Sequence, residues 1–148
     1  MNTIEMIHAE SKILFEGREY SVLGKTIYVS QKAADTPYAK ILLNNHYVLV
    51  ISPSDGVAYF GKNKGRLEEF DGFPSVVHYK GLEFEQVAHD YQVVLQIMFG
   101  DPFAVEGEVE YWDYESGENI ISTAITSREK KRADVVARYI DIESIEII

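Results

Sequence analysis

Runs rich in Ile, Val and Tyr are broken at short intervals by residues that tolerate a left-handed backbone: Glu16-Gly17, Asn44-Asn45, Ser54-Asp55-Gly56, Asp71-Gly72, Lys80-Gly81 and Ser116-Gly117. This punctuation leaves room for little besides short strands joined by tight turns. β-Branched and aromatic side chains fit a pleated, half-buried surface better than a helix, and Ile and Val greatly outnumber Leu here. Candidate strands are 12–15, 19–29, 39–43, 46–52, 57–60, 75–79, 82–87, 92–99, 106–114, 119–126 and 135–148. The runs Tyr47 to Ile51 and Val93 to Phe99 are almost continuously apolar, which places them at the sheet centre, covered on both faces.

Helix signals are few. Thr3 to Ala9 fits one short helix with Thr3 as N-cap, and Arg66 to Phe70 one further turn. The stretch from Val135 fits helical spacing at first, but the alternation of Ile142, Ile145 and Ile147 favours a strand. With no linker and no repeat, the expected fold is one all-β domain over residues 1–148, mainly antiparallel. Its form is a curved sheet, a partly closed barrel or a two-sheet sandwich, with at most one or two short helices.

Composition then limits the chemistry. The chain has 148 residues and no cysteine, which removes disulfides, thiolate metal sites and cysteine nucleophiles. A formal net charge of −10 repels phosphate backbones and anionic lipid, so neither nucleic acid nor membrane is an expected partner. Met1 to Met6 lacks a basic, apolar leader, and no apolar run is long enough to span a bilayer, which makes the cytoplasm the expected compartment. Oligomeric state is left open.

Several constellations bear on function. A two-residue turn at Lys80-Gly81 sets His78 opposite Glu83, a cross-strand polar pair more than a metal site. Glu106, Glu108 and Glu110 share one strand face, with Val109 and Tyr111 turned inward. That spacing suits either a carboxylate-based or metal-dependent hydrolase or, more simply, a solvated outer face. No metal or cofactor is expected. Gly61 to Gly65 lacks the spacing of a phosphate loop and reads as a turn. The basic stretch Arg128, Lys130, Lys131 and Arg132 reads as a loop able to dock an acidic partner. Tyr59, Phe60, Phe70, Phe73 and Phe103 flank turns and form a candidate ligand or partner patch.

Gly17, Tyr20, Val22 and Gly24 form a G-x-x-Y-x-V-x-G opening. Later landmarks are Tyr38 to Leu42, Val77-His78-Tyr79-Lys80-Gly81 with Phe84, and Gly100-Asp101-Pro102-Phe103 ahead of Asp113-Tyr114. In these segments, spread over most of its length, the chain resembles the bacterial family called domain of unknown function 4178, although that family often has tryptophan where Tyr38 and Phe103 stand. The resemblance implies a small, mostly β domain and carries no catalytic residue. Scattered titratable groups and a strong apolar pattern together describe a non-enzymatic binding module, expected to act as a protein-interaction accessory. The alternative is a small-molecule-binding β-barrel with an apolar, aromatic lumen.

Overall fold

The computed structural model describes Ile7 and residues 10–30, 33–52, 56–99, 108–127 and 129–148. Among these residues eleven strands form one antiparallel sheet: β1 (Lys12–Phe15), β2 (Arg18–Ser30), β3 (Ala33–Leu43), β4 (Tyr47–Ser52), β5 (Val57–Asn63), β6 (Val76–Tyr79), β7 (Leu82–Phe99), β8 (Glu108–Ser116), β9 (Asn119–Thr126), β10 (Arg132–Ile140) and β11 (Glu146–Ile147). The all-β, antiparallel expectation holds, and the only helical pieces among the described residues are single 3-10 turns. One of these, Glu68–Phe70, lies inside the expected turn at 66–70. Of the expected helix at 3–9 only Ile7 lies among the described residues.

Two boundaries differ from expectation for local reasons. The segments 82–87 and 92–99 are one strand: no Gly, Pro or Asn separates them, and a bulge between Gln86 and Ala88 absorbs the change of register. The C-terminal stretch divides instead, since Asp141 caps a 3-10 turn at Ile142–Ser144 by accepting from the Glu143 N–H at 2.9 Å. At the Lys80-Gly81 hairpin both residues have positive φ, 49° and 80°, the backbone that matches strand twist. His78 duly faces Glu83.

The strand order is β11-β1-β2-β3-β4-β5-β10-β9-β8-β7-β6, so the sheet as a whole is not closed and ends in β11 and β6. Within it, however, the second half of β2 also pairs with the end of β7, from Lys25↔Phe99 to Ser30↔Gln92. The strands from β2 round to β7 therefore curl until the first meets the last, giving a barrel-like wall with β1, β11 and β6 attached outside it.

Strand alternation sorts the side chains into three groups. On the outer face of one flank, Ile13, Phe15, Val22, Ile41, Leu49, Ile51 and Phe60 form the largest core, sealed by β1 and Ile7. Against the other flank, Phe70, Val77, Phe84, Trp112, Tyr114 and Ile121 pack beneath the 67–73 segment. The inner face holds Val48, Val50, Ile120, Val135 and Ala137. Every fully buried Ile or Leu contributes about 2–3 kcal/mol, and among the described residues most of these lie in the two outer clusters. β4 is buried on both faces, as its apolar run implies.

Candidate ligand site inside and at the mouth of the barrel

Pairing register fixes which residues share the inner face. Lys40 pairs with Thr26 and Val50, Tyr38 with Tyr28, Tyr59 with Val50 and Tyr139, and Ser122 with Asp113. These side chains meet across the wall: Tyr38 of β3 and Tyr59 of β5 both feel Asp113 and Tyr111 of β8. Tyr28 and Tyr38 stack with ring centres 5.5 Å apart, and Tyr59 meets Tyr139 edge-on at 6.2 Å. The Lys40 ammonium lies 5.9 Å from the centre of the Tyr28 ring. Ser122 Oγ donates to Asp113 Oδ1 at 2.7 Å, and the Tyr139 hydroxyl donates to Glu115 Oε2 at 2.5 Å.

Burial governs the protonation of this cluster. It pushes the Asp113 carboxyl up to about 6, helped by the Glu115 charge and opposed by the Ser122 hydrogen bond. The Tyr38, Tyr59 and Tyr139 hydroxyls are raised, also chiefly by burial, and so stay neutral donors at physiological pH. Nevertheless Tyr38, Tyr59, Tyr111, Tyr139, Asp113 and Ser122 are only half-buried. Among the described residues, the inner face is aliphatic at Leu42, Val48, Val50, Ile120, Val135 and Ala137 and carries hydroxyl or carboxyl groups at Tyr38, Tyr59, Tyr139, Ser122 and Asp113.

A groove of about 760 Å³ lies at the end of the wall, where β3 ends, β4 begins and β5 ends. Leu42 and Val48, which belong to the inner face, line it. The 3-10 turn Asn44–His46 forms part of its rim, with Asn45 and His46 both at positive φ, 59° and 66°. Asn44 Oδ1 accepts from the Ser21 N–H at 2.7 Å and ties this turn to β2. Arg18, Lys62 and Asn63 complete the polar lining, and Lys62 Nζ stands 4.9 Å from the centre of the Tyr47 ring.

The aromatic residues singled out by sequence do not come together. Tyr59 faces the interior, whereas Phe60 and Phe70 are buried in separate outer cores, Phe60 with Phe15, Tyr20 and Tyr47 and Phe70 with Tyr79 and Tyr114. Phe73 stacks on Trp112 at 3.6 Å, inside a column that continues to His89 on one side and Arg132 on the other. Phe103 lies outside the described residues, as do Glu106 and Arg128.

The basic stretch also divides. Lys130 is exposed and Lys131 pairs with Glu129 at 2.9 Å. Arg132 instead opens β10, where it bonds Asp134, Asp71 and the Leu67 carbonyl and fastens the 64–71 segment over the outer core. Gly61 to Asn63, expected in a turn, is the end of β5. Glu110 binds His89 at 2.6 Å on the outer face, and His78 lies 3.4 Å from Glu83. Among the described residues no three His, Asp or Glu converge as metal ligands.

Sequence reasoning missed Asp113, Ser122, Tyr38 and Tyr139 as interior groups and Arg18, His46 and Lys62 as groove residues. The alternation Tyr111-x-Asp113-x-Glu115 carried part of the signal, because it extends the inward series begun by Val109. Fold and site together describe an acidic, antiparallel, barrel-like protein whose inner face, among the described residues, mixes aliphatic side chains with hydroxyl and carboxyl groups, and whose groove carries basic side chains. No family model, no curated protein and no solved structure matches the chain.

Proposed function

We propose that this protein is a non-enzymatic binding module that holds a small molecule in its barrel. The observation that carries the reading is the convergence of Tyr38, Tyr59, Ser122 and Asp113 on an enclosed face where they keep accessible surface. A stability-driven interior would be filled with aliphatic side chains, whereas a few placed hydroxyls and one carboxyl within an apolar surround are what ligand recognition requires. The described histidines contribute no general base inside, since His78 and His89 engage Glu83 and Glu110 on outer surfaces and His46 stands at the mouth. Membership of the family resembled in sequence is part of the same proposal and adds no activity to it.

The test is a set of thermal melts with small carboxylates, phosphates, amines, polyols and aromatic compounds. A ligand present at 100 times its Kd stabilises by about 2.7 kcal/mol. That corresponds to a Tm rise on the order of 5–10 °C for a chain of this size, diminished in Tyr59→Phe. Indifference to every class would refute the reading. A second reading, protein interaction, draws on the exposed Val76, Leu82 and Val87 along the β6–β7 hairpin, whose outer strand is one end of the sheet.

A further inference from the structure

The charge at the mouth runs against the charge of the whole. A chain with 24 acidic residues and 14 basic ones lines this groove, among the described residues, with Arg18, Lys62 and His46 and no carboxylate. Such a local reversal in a concave site focuses field on anions. Apart from Asn45 and Asn63, the rest of the lining is apolar or aromatic: Leu42 is half-buried there, and Leu23, where a bulge interrupts the β2–β3 register between Val22 and Gly24, stands exposed at the edge. His46 is held at the groove by two consecutive residues of left-handed backbone, Asn45 and His46 itself, a conformation that non-glycine residues rarely adopt. The Asn44 side chain keeps that turn in place.

We infer that the groove receives an organic anion with an apolar body, its carboxylate or phosphate held between Arg18, Lys62 and His46 and its body laid on Leu42 and Leu23. The inference rests on the small-molecule reading and deepens it by naming the ligand class. Arg18 offers a planar fork matched to two oxygens, and Lys62 a compact ammonium. A simple inorganic anion would forgo the apolar surface, and a neutral amphiphile would forgo the cations.

The experiment is a titration of isotope-labelled full-length protein followed by amide chemical shifts, using decanoate, decyl phosphate, acetate, inorganic phosphate, decanol and decylamine as separate probes. The expected result is saturable shifts at Arg18, Leu42 to Val48 and Lys62 with decanoate or decyl phosphate. Acetate, inorganic phosphate and decanol should bind at least tenfold more weakly. Arg18→Gln and Lys62→Gln, both at exposed or half-exposed positions, should each weaken the preferred anion roughly fivefold to tenfold without changing the melting temperature of the free protein. Decylamine binding as well as the anions, or failure of both variants to weaken them, overturns the inference. If neutral or cationic probes shift Ser122 and Asp113 while the anions shift nothing, the anion assignment fails and the small-molecule reading stands. If no probe of any charge gives a saturable shift, both fail.

Discussion

Asp113→Asn separates a carboxyl buried in the interior from one on the surface. The carboxyl is moved from an ordinary 3.8 to about 6, and burial is the main cause. Because the folded value is raised, the folded state holds its proton more tightly than the unfolded chain. Its stabilising contribution is complete below about pH 4 and is lost as pH rises through about 6. One pKa unit corresponds to 1.36 kcal/mol, so the full effect is roughly 3 kcal/mol, and the carboxyl's residual accessible surface reduces this to about 2–3 kcal/mol. Asparagine carries no charge to desolvate and keeps an oxygen able to accept from Ser122. The stability of Asp113→Asn minus that of the wild type should therefore grow by about 2–3 kcal/mol between pH 4 and pH 7.5. Urea melts at half-unit pH steps measure it, and the subtraction cancels the many surface carboxylates common to both proteins. A difference that stays level across that range would refute the desolvated placement of Asp113, and one that falls would reverse its sign.

Gly61 faces β10 so closely that an added Cβ would collide with the Val136 carbonyl and with Ala137, so Gly61→Ala should cost about 2–3 kcal/mol in a urea melt. Gly65→Ala, with φ of 74° but open space around it, should cost only about 1 kcal/mol. Asp134 is fully buried and holds both Arg132 and the Leu67 N–H, so Asp134→Ala should destabilise by about 3–5 kcal/mol. Hydrogen exchange should show the Lys64 and Leu67 amides losing protection before those of β4. Phe73→Ala removes one ring from the Trp112 column and should cost about 2 kcal/mol, with a change in Trp112 near-ultraviolet circular dichroism.

Strand positions were legible because they depend on local rules. Turn residues at Glu16-Gly17, Lys80-Gly81 and Ser116-Gly117 set hairpins whose ladders follow the alternation of Ile, Val and Tyr. The double burial of β4 could be read from an unbroken apolar run. The site was less legible because it depends on closure. Period-two alternation tells which residues share a face but not which face turns inward, and the β2–β7 ladder decides that across more than sixty residues of chain. Tyr59 was singled out for its place beside a turn, yet its role comes from Asp113 and Ser122 on strands paired through β10. Arg132 looked like part of an exposed basic loop because sequence does not show that β10 begins at it, which sets Asp134 on the same strand face at 2.8 Å, nor that Asp71 and the Leu67 carbonyl come from a distant segment to meet it. The groove cations are far apart in sequence, and only the return of β5 beside β4 brings Lys62 to Tyr47.

The most direct test of the barrel as a ligand site is a crystal structure grown with whichever small compound raises the melting temperature most. The account predicts density inside the wall within hydrogen-bond reach of Tyr59, Ser122 or Asp113, or density that enters from the mouth with its charged end at Arg18 and Lys62. A compound seated instead on the outer β6–β7 surface, above an interior closed by its own side chains, would contradict it.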